Sequence, residues 1–450
     1  MKQLPIKAKR CAVCDNLTLA APLLLGTAAY AFSEFADRIF LGHYGETALA
    51  ATLPASMIAG SVNAFLIGVI AYSKNFITRY LGGNRPDLAR SAFRHSLRLA
   101  VLALPVLAAV AWPGCLIIDA FGHDETLRAA EKTYFVSYLF VGAFSLFSAL
   151  LGGWFAAHGR TGLVGVATAL GCAVHVALDP FLIFTCDLGI LGSGIATVAA
   201  FATTALILAV PCIHSIDRHV PRPGGDVSYA QLLRQGLPNG TATLLGSCGL
   251  TFYMLSLGRY GSEVLAAINA LFAFHGFIFY LVTAFASAGN ITIGWSIGKR
   301  DRNDVKRHYR AAMALSIGAV SLVYLAAIPL SSQVLAIFGI RTESLPFGLG
   351  AVALMAGFFI RDLADAVQVV CTNALKASGD TRGIMMSRLI ASVLVWVPAT
   401  AILLRCDSPI PLLLTMPASY GLLALLLRLK WAGSLNLRKT RPSSSSEGTR

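Results

Sequence analysis

Two stretches of this chain are one element written twice, 216 residues apart. Leu41-Gly42-His43-Tyr44-Gly45 with Leu49-Ala50-Ala51 aligns without a gap on Leu257-Gly258-Arg259-Tyr260-Gly261 with Leu265-Ala266-Ala267. The same offset holds past the next apolar span, where Leu81-Gly82-Gly83-Asn84-Arg85 falls on Ile297-Gly298-Lys299-Arg300-Asp301. Further on, Asp119-Ala120-Phe121-Gly122 echoes Ala336-Ile337-Phe338-Gly339 at an offset of 217, and His158-Gly159-Arg160-Thr161 echoes Ser378-Gly379-Asp380-Thr381 at 220. A hydrophobic chain duplicated in this way is the signature of a transporter with two lobes around a central cavity.

Composition decides the solvent. The residues are 56% hydrophobic and 13% charged, against roughly 45–50% and 25% in an average soluble domain. A water-soluble chain cannot hide that much apolar surface, so the bulk solvent is lipid. A helix needs about 20 apolar residues to cross a bilayer core. Twelve such stretches occur, at 17–40, 48–73, 88–113, 132–157, 162–185, 190–213, 231–257, 263–290, 304–330, 346–375, 383–404 and 409–430. They are too long and unbroken for the alternating strands of a membrane barrel. The expected fold is therefore an all-α polytopic membrane protein of twelve transmembrane helices in two six-helix lobes. Six spans return each half to its starting side, so the lobes relate by a pseudo-two-fold axis along the membrane normal.

The net charge of +14 is partitioned by topology and is no nucleic-acid footprint. With the amino terminus in the cytoplasm, 29 Lys and Arg fall in cytoplasmic segments, six fall outside, and Arg361 lies within a span. That asymmetry predicts both termini in the cytoplasm. The expected organisation is a tail at 1–16, an N-lobe at 17–213, a linker at 214–230, a C-lobe at 231–430 and a disordered tail at 431–450. Pro221, Pro223, Gly224 and Gly225 mark the linker. Lys2, Lys7, Lys9 and Arg10 before an apolar run imitate a signal peptide, but the run is too long for one. The nine cysteines lie mostly inside spans as small hydrophobes. Cys11-x-x-Cys14 has no second pair to complete a zinc site. External loops are short, which leaves no room for a large catalytic domain.

Ionisable groups inside spans cost about 2.5–3.5 kcal/mol each at a helix centre, so they are the functional candidates. Glu34 and Asp37 share one face of the first span, and His175 and Asp179 share one face of the fifth. The tenth holds Arg361, Asp362 and Asp365, read as one ion pair at four-residue spacing plus a spare acid. Its alternative role is a structural salt bridge between lobes. His275, alone among aromatics in the eighth span, reads as a packed residue. Pro22 lies fifteen residues before Asp37 and frees a carbonyl at which a helix bends. Two carboxylates in a half-dry cavity repel, which favours uptake of a proton between them, and His175 titrates near neutrality. Phe65, Tyr138, Phe274 and Phe277 are the expected aromatic lining of a substrate cavity, with Glu34, Arg361 and Asp362 as its charged members.

At these residues the chain resembles the multidrug and toxin extrusion (MATE) family. The matching segments are Ala36-Asp37-Arg38-Ile39-Phe40-Leu41-Gly42, Leu178-Asp179-Pro180, Asp365-Ala366-Val367-Gln368-Val369-Val370 and Gly379-Asp380-Thr381. The resemblance implies a V-shaped fold that exports organic, often cationic, amphiphiles in exchange for protons or sodium. It implies that Asp37 and Asp179 are coupling acids of the N-lobe, Pro22 the bend in the first helix, Thr197 a hydroxyl that helps bind the ion, and Asp365 the C-lobe acid. His175 departs from the family, whose members usually carry an asparagine there. The acid that sodium-coupled relatives carry on the seventh helix is missing, with Gly246 or Ser247 near its place. Arg361 one turn before Asp365 opposes sodium. The expectation is thus an antiporter, not an enzyme, working as a monomer in the bacterial inner membrane on small molecules, with no cofactor or metal and with H+ favoured over Na+. The rival reading is a lipid-linked oligosaccharide flippase of the same superfamily, set aside because such proteins line their cavity with several cations and often carry two extra helices, whereas only Arg361 is available within a span and the count stops at twelve. An intramembrane aspartyl protease or alcohol phosphotransferase is set aside because Ala377-Ser378-Gly379-Asp380 and Arg361-Asp362-Leu363-Ala364-Asp365 lack the required motifs.

Overall fold

The computed structural model describes residues 11–120, 124–215, 227–260, 262–337 and 350–437. These form twelve long helices. In the first half they are α1 (Ala12–Tyr44), α2 (Glu46–Ile70), α3 (Pro86–Asp119), α4 (Glu125–Ala157), α5 (Thr161–Pro180) and α6 (Gly189–Ser215). In the second they are α7 (Tyr229–Leu257), α8 (Ser262–Gly298), α9 (Arg302–Ala327), α10 (Ala351–Ser378), α11 (Thr381–Arg388, carried on through Leu389–Trp396 to Val397–Leu403) and α12 (Ile410–Leu437). The expected tails and linker fall largely outside the described residues. Where they are described, helix replaces tail: α1 begins at Ala12 and α12 runs to Leu437. The expected second span stops short as well. After α2 and a two-residue turn at Ala71-Tyr72, a further helix, Ser73–Gly82, follows, and the stretch Ala55–Gly82 is apolar enough to cross a membrane as a whole.

Among the described residues, ten helices have the length and hydropathy of a membrane span. The two that do not qualify are α7 and α10. Both carry polar groups that the fold turns inward: Gln235 and Asn239 on α7, and Arg361, Asp362, Asp365 and Gln368 on α10. Side chains also fix where helices start. Asp301 accepts from the Asp304 amide at 3.0 Å, and Asp380 accepts from the Gly383 amide at 2.9 Å. Asp124 caps α4 and is held below the ordinary carboxylate range by the hydroxyl of Thr126 and the amide of Leu127.

The duplication is visible in the backbone itself. Asn84 and Arg300, 216 residues apart, both take the left-handed conformation, with φ of 56° and 61°. Each turn closes with the equivalent hydrogen bond, Arg85 N to Tyr80 O at 2.8 Å in the first and Asp301 N to Ser296 O at 3.1 Å in the second. Gly159 and Gly379 repeat the relation, at φ of 75° and 92°. Packing follows the same symmetry. In the N-lobe α1 lies on α5, α2 on α4 and α4 on α6; in the C-lobe α7 lies on α11, α8 on α10 and α10 on α12. Between lobes α2 packs on α7 and α1 on α8, two contacts that the pseudo-axis exchanges.

The lobes are locked together at the end that carries the basic loops. A Cβ on Gly82 would run into the Trp295 carbonyl, and a Cβ on Gly298 would run into the Arg79 carbonyl. Those two clashes are one contact seen twice, since Arg79 and Trp295 are themselves 216 residues apart. Around them Asn290 Nδ2 donates to Asn75 Oδ1 at 2.7 Å, Trp295 Nε1 to the Ala157 carbonyl at 2.9 Å, and Asn239 Nδ2 to the Gly68 carbonyl at 2.6 Å. The Tyr72 hydroxyl sits 2.8 Å from the Lys376 carbonyl, and Arg79 Nη2 donates to Gln235 Oε1 at 3.1 Å. Overpacking a close backbone crossing costs about 1–3 kcal/mol. Gly298→Ala is therefore expected to lower the thermal unfolding temperature in detergent and to speed amide exchange across residues 79–85; unchanged exchange there would show that the lobes are held elsewhere.

Candidate ion-coupling site and substrate cavity

Asp37 on α1 and His175 and Asp179 on α5 come together because α1 packs along α5. Gly165 makes that possible: a side chain there would collide with the carbonyl of Pro22, so only glycine lets the two backbones touch. One ligand atom from each of Asp37, His175 and Asp179 lies within 4.8 Å of the other two, and all three residues are buried. Across from them α6 supplies Ser193 and Thr197, also buried. His175 Nε2 lies 3.5 Å from Asp179 Oδ2 and 3.1 Å from Thr197 Oγ1. The Thr197 hydroxyl donates to the Ser193 carbonyl at 2.9 Å. Its single hydrogen is thereby committed, so Thr197 Oγ1 accepts from His175, and the imidazole carries its proton on Nε2.

The acids are short of donors. Asp37 Oδ1, both carboxylate oxygens of Asp179 and Ser193 Oγ have no hydrogen-bond partner. A buried polar atom left unpaired costs about 1–3 kcal/mol, and more if charged. Such a cluster is stabilised by whatever positive charge it can take up, whether a proton or a small cation. Expected as coupling residues, Asp37, Asp179, His175 and Thr197 thus lie in one group. Pro22 sits within α1, which is one continuous helix through it.

Beside the cluster opens a cavity of about 590 Å3, within the usual range for a drug-sized ligand of about 300–1,000 Å3. It lies mostly within the N-lobe, with α8 as its far wall, and Tyr30, Glu34, Tyr138, His175, Thr197 and Lys74 are among its lining residues. Glu34 and Tyr138 line it as expected. Three expected aromatic members do not. Phe277 is 70% exposed on the outer face of α8, Phe274 packs edge-on against Tyr324 at 5.6 Å, and Phe65 fills the crossing of α2 with Gly240 on α7.

Arg361 and Asp362 are also removed from the cavity, and the expected pairing of Arg361 with Asp365 is corrected. Arg361 Nη1 lies 2.6 Å from Asp362 Oδ1 instead. His275 Nδ1 lies 2.9 Å from the same oxygen, and Tyr324 donates to Asp362 Oδ2 at 2.8 Å. The guanidinium rests 4.3 Å over the Tyr420 ring. His275 is therefore a partner in a buried ionic cluster and not a lone packed ring. Asp365 accepts from Gln368 at 2.6 Å, and Gln368 in turn accepts from Arg388 at 3.1 Å. Asp362 and Asp365 on α10 each have a donor; Asp37 Oδ1 and both carboxylate oxygens of Asp179 do not.

Lys74, which follows the expected second span and is one of the 29 cytoplasmic charges of the expected topology, lines the cavity. Phe76, Ile77, Tyr80 and Leu81 carry the apolar pattern past residue 73, a signal in the sequence that the span runs on. The premise that Arg361 alone could offer a cation to the cavity is reversed: Lys74 does so and Arg361 does not.

The family profile described as MatE matches residues 22–181 and 238–402. The chain belongs to the MatE family. Curated relatives called "Probable multidrug resistance protein NorM" include one from Rhizobium meliloti, 25% identical over 84% of this chain and 83% of that one, and one from Photorhabdus laumondii, 21% identical over 87% of each. Among solved structures, "Crystal structure of MATE in complex with MaL6" is similar with a TM-score of 0.85, covering 96% of this chain and 98% of that chain at 16% identity. A structure described as "Outward-facing conformation of a multidrug resistance MATE family transporter of the MOP superfamily" has a TM-score of 0.84 over the same shares at 16% identity. At those identities the likeness carries the fold, two all-α lobes in a multi-pass membrane protein. MatE proteins are transporters and not enzymes, so the intramembrane protease and phosphotransferase readings end here.

Breaking a buried ion pair by removing one partner costs about 3–5 kcal/mol. Arg361→Met is accordingly expected to lower the unfolding temperature sharply, whereas Asp179→Asn, which discharges an acid without donors, leaves it unchanged or raised. Thermal unfolding of both variants in the same detergent checks this; a larger loss for Asp179→Asn would mean that its carboxylate is satisfied.

Proposed function

We propose that this MatE protein is a multidrug efflux antiporter that exports organic, cationic or amphiphilic small molecules in exchange for protons by alternating access. The reading rests chiefly on the buried carboxylate oxygens without donors, Asp37 Oδ1 and both of Asp179, beside a drug-sized cavity. The relatives named for multidrug resistance support it. The protein works in the bacterial inner membrane as a monomer, with both termini in the cytoplasm. The seal between the basic-loop ends of the lobes then corresponds to a state closed to the cytoplasm.

In this cycle a proton enters from outside and neutralises the Asp37/Asp179 cluster, which lowers the cost of keeping it dry. Helix α1 bends at Pro22, where the missing amide weakens the ladder, and cargo leaves the shrinking cavity. The seal at Gly82 and Gly298 then parts, the proton passes to the cytoplasm, and a new cation is drawn toward Glu34. A membrane potential of about 100 mV adds roughly 2.3 kcal/mol for each charge moved. Asp365, already bonded by Gln368, positions the C-lobe and does not carry the proton.

A sodium-coupled cycle is the second reading, because the Asp37, His175 and Asp179 ligand atoms are close enough to hold a small cation. Proteoliposomes separate the two. An imposed pH gradient is expected to drive dye efflux, a sodium gradient alone is not, and Asp37→Asn is expected to abolish efflux while the protein remains folded in the membrane. Efflux driven by sodium at constant pH would replace the proton with sodium; normal efflux by Asp37→Asn would remove the cluster from the cycle.

A further inference from the structure

The cavity is charged at two levels. At one level are Glu34, Tyr138 and Gly60, a Cβ on the last lying 4.0 Å from the Tyr138 ring. At the other is Lys74, whose stem packs under Gly153, with 3.3 Å between the Lys74 Cβ and a Cβ placed on that glycine. Tyr138 and Gly153 both belong to α4, fifteen residues apart, so the two levels stand about 20 Å apart at 1.5 Å per residue.

Among the described residues no carboxylate lies within ion-pair distance of the Lys74 ammonium, and it makes no side-chain hydrogen bond. The acids of the cavity and the coupling cluster do not serve it: Glu34, Asp37 and Asp179 lie at or beyond the opposite level. Its surroundings are small and apolar or neutral, including Gly153, Ala156, Ala71 and Ile67. From the opposite lobe Asp380 comes near Tyr72, but it caps the Gly383 amide and, among the described residues, forms no ion pair with Lys74; the Tyr72 hydroxyl holds the Lys376 carbonyl at 2.8 Å and so brings a second lysine to the same end. A lysine in a water-accessible membrane cavity with no counter-charge is costly, and such intramembrane cations mark substrate pathways.

We infer that Lys74 is the anion subsite of this cavity, and that the favoured cargo is a dipolar amphiphile whose carboxylate meets Lys74 while its cationic, aromatic part lies toward Glu34, Tyr30 and Tyr138. The inference rests on the efflux reading and deepens it by naming the substrate class. The ammonium is a compact point charge on a flexible stem, suited to a carboxylate approaching along the cavity. Two charges of opposite sign along one cavity also orient the cargo, since a reversed molecule would set like charges together at both ends.

A matched pair of dyes tests this. Rhodamine 19 carries a free carboxylate, and rhodamine 6G is its ethyl ester with only the cationic xanthene. Binding of each to the full chain in detergent is measured by fluorescence polarisation, for wild type, Lys74→Met and Lys74→Arg. Lys74→Met keeps the stem under Gly153 and removes the charge. It is expected to weaken rhodamine 19 about tenfold, the worth of one charge-assisted contact, and to leave rhodamine 6G within about twofold. Lys74→Arg is expected to retain most of the rhodamine 19 affinity. Wild type that binds both dyes, with Lys74→Met shifting both equally or neither, overturns the subsite and leaves the efflux reading standing. Wild type that binds neither dye overturns both.

Discussion

Buried carboxylate oxygens without donors, on Asp37 and Asp179, are the constraint around which the rest of this molecule is arranged. Asp37 and Asp179 have unpaired buried oxygens, and an isolated ionised carboxylate in a medium of low polarity is far more costly than a neutral one. The surrounding helices must therefore hold the pair in place against that cost. Gly165 under the Pro22 carbonyl brings α1 and α5 together, and α6 closes the third side with Thr197 directed at His175. The cluster is left in a state that binding one positive charge relieves, and a transporter can couple that relief to a change of shape.

The duplicated architecture shows how one scaffold carries two roles. The lobes share their packing order and the conformation of their turns, yet the acids do not repeat. At the 216-residue offset, Glu34 and Asp37 correspond to Leu250 and Tyr253, and Tyr253 packs into the apolar core of the C-lobe against Trp396. The C-lobe places its charges on α10 and satisfies them there, through His275, Tyr324 and Gln368. The C-lobe charges are satisfied where they stand, while the unpaired oxygens of the N-lobe are open to a proton or a small cation. The self-matching contact of Gly82 with Trp295 and Gly298 with Arg79 joins the two at one end, leaving the N-lobe helices around the cavity able to move against a fixed partner.

Much of this was legible in the chain because membrane helices announce themselves by length and apolarity, and because repeated turns keep their sequence. Asp37, His175 and Asp179 were legible since lipid makes every ionisable group in a span conspicuous, whereas Thr197 came only with the family resemblance. What failed was the assignment of faces. Helix α8 is apolar nearly all round, so its periodicity gives no inward side; Phe277 went to the surface while His275, two residues earlier, joined the Asp362 cluster. Helical spacing shows which residues share a face of one helix but not which residue of another helix meets them. Arg361 paired with its chain neighbour Asp362 rather than with Asp365 one turn away for that reason. Lys74 was missed because the expected span closes at residue 73, where the apolar run meets the lysine, when a helix from Ser73 to Gly82 continues the span and carries the lysine into the cavity.

Exchange of a proton for cargo has a direct signature. When a cationic dye is added to the purified protein in weakly buffered detergent, its binding should expel protons from the Asp37/Asp179 cluster, on the order of one per molecule bound. That release should vanish in the Asp37→Asn, Asp179→Asn double variant. Dye binding of undiminished affinity with no proton released by the unaltered protein would contradict a shared, competing site and with it the exchange of hydrogen ions for cargo.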